Sequence, residues 1–303
     1  MNTLSAAPSG SLPVCPSRLT NDWIDQYQEN GYLAFSHVLS PVEIRASRQA
    51  LADITRDLSQ DPRVDYTPPR PPTSTSNQGG ARYARAGTPL SMHLESGYDP
   101  VGQDPGDVEL KVRKYCGFSG ETAVFQNMLA PSSRLRAVVD GLLGADPLLF
   151  QEMALVKPAF IGSEKPWHQD NAYFSVMPLE AILGVWIALD DARVENGCMH
   201  VLPGGHRDGA LKHHHGVDCQ INPALLDTAR AIAVPVPAGG AMFFYGMLPH
   251  ETPPNRSPER RRALQFHFRG AQSRLVDEEV YDREFRNREG IPASCRSASR
   301  RGF

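Results

Sequence analysis

The chain has 303 residues, 41% of them hydrophobic and 21% charged, with a formal net charge of −3. That composition suits a globular protein with a sizeable core. It excludes a general attraction to nucleic acid or to an anionic membrane surface.

Residues 1–17 are rich in Ser, Pro and Ala and read as a loose tail, without the basic and then apolar build of a secretory signal. Thr20 can cap a short helix whose apolar positions are Trp23, Ile24 and Tyr27, and Gly31 stands where a left-handed C-terminal residue belongs. Tyr32 to Phe35 reads as a strand. Ser40-Pro41-Val42-Glu43 opens a second helix with a Ser cap, Pro in the first turn and Glu closing a capping box. Ile44, Leu51, Ile54 and Leu58 continue it at helical spacing. Residues 59–107, rich in Pro, Gly, Ser and Thr, read as a long irregular segment. A lid or substrate loop carrying Arg82, Tyr83, Arg85 and His93 and a plain surface excursion are both open there. A third helix fits Ser132 to Leu143 and ends at Gly144.

Beyond residue 148 the texture changes to strands: Leu148 to Val156, Trp167 to Phe174, Ala181 to Leu189, Met199 to Leu202, Ile232 to Val236, Ala241 to Tyr245 and Arg262 to Phe268. Many short strands separated by Gly-rich turns predict a mainly β barrel or sandwich with flanking α-helices. The expected organisation is one domain over 18–274 and a C-terminal extension over 275–303 that holds a helix and a frayed tail. No apolar run approaches the ~20 residues of a membrane helix. Cys15, Cys116, Cys198, Cys219 and Cys295 are odd in number, widely spaced and free of a C-x-x-C motif. That argues against a disulfide framework and for a reducing, cytoplasmic compartment.

The chemistry centres on Trp167-His168-Gln169-Asp170. On a strand, alternation would put His168 and Asp170 on one face. They make two thirds of the triad of two His and one carboxylate that holds non-haem Fe(II) and leaves coordination positions open. His250, beyond the apolar strand Ala241 to Tyr245, is the candidate for the missing ligand. On spacing alone, ordinary core or surface histidines outweigh a metal site, since the chain has 10 histidines. Farther on, alternation groups Arg261 with Gln265 and His267, a face suited to an anionic ligand. His213, His214 and His215 read as a solvated loop, because adjacent residues do not share a strand face. His206 reads as hydrogen-bonded framework, and His200 and His267 as packing or as residues behind the ligands. Nothing matches a phosphate loop, a dinucleotide fingerprint or a nucleophile elbow.

His168-Gln169-Asp170 with Tyr173-Phe174, Trp186, Asn196-Gly197, the Leu202-Pro203-Gly204-Gly205-His206 run, His250 and Arg261 together resemble the phytanoyl-CoA dioxygenase family. Asn30-Gly31-Tyr32 resembles that family's opening, and the resemblance spans roughly 18–270. It implies a double-stranded β-helix, a jelly-roll or cupin-like core, and an enzyme dependent on Fe(II), 2-oxoglutarate and O2. It further implies that His168, Asp170 and His250 bind iron and that Arg261 pairs with the distal carboxylate of 2-oxoglutarate, assisted by Thr252. Trp186, Lys111 and Gln151 match positions beside the cosubstrate; for Trp186 the competing reading is core packing. Relatives that halogenate carry a small residue where this chain has Asp170, so hydroxylation of a small organic molecule is the expected outcome. An acyl-CoA hydroxylase, or a silent barrel that only binds a ligand, stay open as alternatives, as does a homodimer.

Overall fold

The strand Ile182–Ala188 reads ILGVWIA and is buried along its whole length. A run without polar alternation needs cover on both faces, and this strand has it. Leu183, Val185 and Ile187 point into a core shared with helices, whereas Trp186 and Ala188 point into a second cluster with Met199, Val201, Ala233 and Val234 of another sheet. The computed structural model describes residues 5–6, 11–70 and 79–300.

Among these residues Ile182–Ala188 lies inside a nine-stranded sheet, between Ala241–Tyr245 and Arg261–Arg269. Beyond Arg261–Arg269 follow Leu148–Lys157, Val112–Cys116, Ser91–Leu94, Arg82–Arg85 and Val64–Thr67; at the other edge stands Tyr32–Phe35. All these neighbours run antiparallel. A five-stranded sheet faces the apolar side of this one, in the order Ser5–Ala6, Ile232–Val234, Met199–Val201, His250–Thr252 and Lys165–His168.

Helices Asn21–Asn30, Pro41–Gln60, Ala123–Leu129 and Arg134–Leu143 cover the outer face of the larger sheet, burying Leu51, Ile54, Leu58, Phe125, Leu135 and Val138 against Phe266 and Phe268. The Ser40 hydroxyl accepts from the Glu43 amide at 3.3 Å while the Ser40 amide donates to Glu43 Oε2 at 2.8 Å, a complete capping box. Gly31 takes φ +82° and ends the first helix. Thr20 holds the N-cap position without a side-chain hydrogen bond.

Several expectations need correction. Trp167 to Phe174 is not one strand: the strand ends at His168, and Asp170–Tyr173 is a 3-10 turn. Residues 59–107 are not an irregular loop, for they supply three strands and the helix Pro105–Glu109. Arg82, Tyr83, Arg85 and His93 sit on those strands, and residues 71–78 lie outside the described residues. In the expected tail, Cys15 is buried and its amide donates to Ser36 O at 2.9 Å, so 11–17 is anchored; residues 1–4 and 7–10 fall outside the described residues. Cys219 and Cys295 form a disulfide. That pairing, between residues far apart in sequence, removes the cysteine argument for a reducing compartment. No helix among the described residues is long and apolar enough to cross a membrane.

Gly184 faces Phe244 so closely that an added Cβ would stand inside contact distance of its ring. Gly184→Ala should therefore destabilise the protein by about 1–3 kcal/mol, read as a lower urea midpoint. An unchanged midpoint would mean that the ring moves aside freely.

Candidate active site

His168 closes one strand of the smaller sheet and His250 opens its neighbour; the two are direct cross-strand partners, with ring centroids 4.1 Å apart. Each Nδ1 faces the carbonyl two residues upstream, Pro166 O at 2.8 Å and Leu248 O at 2.9 Å. A carbonyl only accepts, so Nδ1 carries the proton in both rings and Nε2 presents a lone pair. Asp170 Oδ1 lies 3.3 Å from His168 Nε2 and 3.8 Å from His250 Nε2. Its Oδ2 accepts from His267 Nε2 at 2.7 Å and from Gln265 Nε2 at 3.4 Å. One ligand atom from each of His168, Asp170 and His250 lies within 4.8 Å of the other two, and all three residues are buried. Two neutral imidazoles and a carboxylate converging this way suit a divalent transition metal.

Burial alone would raise the pKa of Asp170. His267 and His250, with the hydrogen bond from His267 and the neighbouring His168 ring, outweigh it and hold the carboxyl well below the usual range. Burial pushes His250 down to about 3, and His168 adds to the effect. Asp170 and His250 therefore keep their ligating protonation states at neutral pH.

Arg261 begins the strand that carries Gln265 and His267 on the same face. Its guanidinium is buried, 5.1 Å from the Trp186 ring, and its Nη2 donates to Gly197 O at 3.2 Å. Nε and Nη1 of Arg261 and Nε1 of Trp186 are buried without partners among the described residues. Burial lowers the Arg261 pKa to about 10. A cation held this way, with two donor atoms unused, can receive a carboxylate. Arg262 faces the opposite way and grips Asp190, Nε to Oδ2 at 2.8 Å and Nη2 to Oδ1 at 2.9 Å.

A pocket of about 250 Å³ brings the metal cluster together with Arg261, Thr252, Trp186 and Gln151. The Gln151 Oε1 has no partner there. Lys111 is not in its wall, and its Nζ lies 6.0 Å from the Tyr98 ring instead. The buried cation near Arg261 is Lys157, its Cα partner across the strands, with Nζ donating to Ser163 O at 2.5 Å and Thr252 O at 3.1 Å. Burial, then Arg261, depresses the Lys157 pKa well below the usual range. A further group on the wall has no signal in the sequence. Lys165 Nζ bridges Asp218 Oδ2 at 2.8 Å and the Tyr173 hydroxyl at 2.5 Å, and that hydroxyl donates to Cys219 O at 3.0 Å.

Among the other histidines, His206 is framework as expected, stacked on Tyr245 with centroids 4.9 Å apart. The expected solvated loop at 213–215 is instead a strand paired with Cys219–Ile221, and His213 is 2% exposed. Adjacent residues do point apart on it. That separation leaves His213 buried while His215 is exposed.

A profile of the phytanoyl-CoA dioxygenase (PhyH) family matches residues 27–263. The chain belongs to the phytanoyl-CoA dioxygenase family. Among its relatives, phytanoyl-CoA dioxygenase domain-containing protein 1 of Danio rerio is 26% identical over 262 residues, covering 82% of this chain and 90% of that protein. Two solved structures share the fold. EvdO2 from Micromonospora carbonacea var. aurantiaca, complexed with 2-oxoglutarate, is 24% identical, covers 88% of this chain and 96% of its own, and has a TM-score of 0.59. SnoK, a non-heme alpha-ketoglutarate-dependent carbocyclase from nogalamycin biosynthesis, is 20% identical, covers 87% and 88%, and has a TM-score of 0.61.

His93, His213 and His250 are each pushed down to about 3, with burial the largest cause. Each binds a proton more readily in the unfolded chain, whose imidazoles titrate near pH ~6.5. The metal-free protein should therefore lose stability as the pH falls from ~6.5 towards ~3. Urea unfolding of the metal-free protein should give a smaller free energy at pH ~5 than at pH ~7; equal values would contradict the burial of neutral imidazoles.

Proposed function

We propose that the protein is an Fe(II)- and 2-oxoglutarate-dependent dioxygenase that oxidises a small organic molecule, with hydroxylation as the default outcome. In this reading the two facing sheets form a double-stranded β-helix. One observation carries the proposal: a cluster of two His and one Asp shares a pocket with a buried guanidinium that has unused donors. Membership of the phytanoyl-CoA dioxygenase family and the fold shared with EvdO2, solved with 2-oxoglutarate, support it.

The donor set fits Fe(II), which His168, Asp170 and His250 would hold through Nε2, a carboxylate oxygen and Nε2. Arg261 would take the distal carboxylate of 2-oxoglutarate, with Thr252, Trp186 and Gln151 lining the same site. When bound, iron and 2-oxoglutarate supply O2 activation coupled to oxidative decarboxylation to succinate and CO2. The chain's own residues place and shield these groups. Pro166 O and Leu248 O fix which imidazole nitrogen faces the metal, and His267 and Gln265 turn the Asp170 carboxylate. Trp186 and Met199 form part of an apolar wall that limits water at the site.

Purified protein with Fe(II), ascorbate and 2-oxoglutarate should form succinate, and a chelator should stop it. Asp170→Ala should abolish turnover while leaving the protein folded; retained turnover would remove Asp170 from the ligand set. Arg261→Lys keeps the charge but loses the fork, and should raise the KM for 2-oxoglutarate roughly tenfold or more. An unchanged KM would mean that another cation takes the carboxylate.

A further inference from the structure

The turn that carries Asp170 is held from behind by residues outside the pocket. The strand Lys165–His168 ends one residue before Gln169, so the Gln169 amide is not paired to a neighbouring strand. A buried amide needs an acceptor, and His213 supplies it: Gln169 N–H donates to His213 Nε2 at 3.0 Å. The acceptor role is enforced from the other side of the ring. His213 Nδ1 faces two carbonyls, Leu211 O at 2.8 Å and Ala293 O at 3.1 Å, so it must carry the proton. The His213 amide also donates to Ala293 O at 3.1 Å. The Gln169 side chain is fixed by the same stretch, with Nε2 donating to Gly209 O and Met247 O, each at 2.8 Å, and Oε1 accepting from Leu211 N at 2.8 Å.

Beyond Asp170 the pattern repeats. The buried Tyr281, on the helix Glu278–Glu284, donates its hydroxyl to Asn171 O at 2.5 Å. The backbone of the residues before and after Asp170, at Gln169 N–H and Asn171 O, is thus held by two aromatic side chains whose placement depends on the C-terminal extension. That extension lies beyond the residues matched by the family profile, which end at 263. The disulfide Cys219–Cys295 ties it down, joining the strand paired to His213 with the residue two past Ala293.

We propose that His213 and Tyr281 are positioning residues for the metal centre, clamping the backbone on either side of Asp170 through Gln169 N–H and Asn171 O. The inference rests on the metal reading above and adds that the C-terminal extension is part of the centre's support. Removing an outer partner of this kind typically weakens metal binding about 10–100-fold, because ligand placement must hold to about 0.5 Å.

The test uses Co(II), whose visible absorption bands report coordination, titrated into the full-length protein and its variants. Circular dichroism shows which variants are folded. His213→Phe keeps bulk but removes the acceptor, and should weaken Co(II) binding about tenfold or more with altered bands. In His213→Gln the side-chain carbonyl reaches the place of Nε2, and should restore most of the affinity. Tyr281→Phe should also weaken binding, and it decides the matter if His213→Phe does not fold. Wild-type affinity and bands in every folded one of His213→Phe and Tyr281→Phe would overturn the clamp alone. Failure of the wild-type protein to bind Co(II) at all would sink the metal reading and the clamp with it.

Discussion

The pairing of His250 with His168 across two antiparallel strands is the constraint on which the rest depends. Two residues distant in sequence become neighbours because a strand register makes them so. A slip of one residue would turn the imidazole of the shifted strand to the opposite face. The register is guarded nearby: the Phe244 ring packs 4.9 Å from that of His250, and a side chain at Gly246 would collide with Asn171. Once the imidazoles are paired, the chain needs only a short turn after His168 to bring a carboxylate between them.

The larger sheet serves two environments from one set of strands. Even-numbered residues of Arg261–Arg269, namely Leu264, Phe266 and Phe268, enter the helix-covered core, while Arg261, Gln265 and His267 face the pocket. Polar groups on the pocket side are buried at considerable cost unless they are paired. Several are: His267 and Gln265 to Asp170, Lys157 to two carbonyls. Those left without partners among the described residues, on Arg261, Trp186, Gln151 and His267, lie along the wall of that pocket, where polar ligands could complete them.

Much of this was legible in the sequence where a local rule decides the outcome. The Ser40 capping box, the left-handed Gly31 and the apolar strand Ala241–Tyr245 stand as read. So does the alternation that sends Arg261 to the same face as Gln265 and His267. The meeting of His168, Asp170 and His250 was legible only through family resemblance, because spacing does not encode register. Strands Val64–Thr67 and Arg82–Arg85 were missed because they stand at a sheet edge and bury little, so they lack a hydrophobic alternation. The early end of the strand at His168, the burial of His213 and the Cys219–Cys295 bond all arise from tertiary contacts that no short window contains. The cation beside Arg261 is likewise fixed by cross-strand pairing, and that is Lys157, whereas Lys111 stands by Tyr98.

The adjacent arginines have a consequence for how mutational data on this protein will read. Arg262 binds Asp190, which also meets Arg48 of the long helix at 2.9 Å, so it fastens the sheet to its covering layer. A scan scored only by activity in cell extract would flag 261 and 262 alike and enlarge the apparent catalytic footprint. Soluble yield separates them: loss at 262 travels with depleted protein, whereas on the proposed reading loss at 261 leaves folded protein with a weakened hold on its cosubstrate.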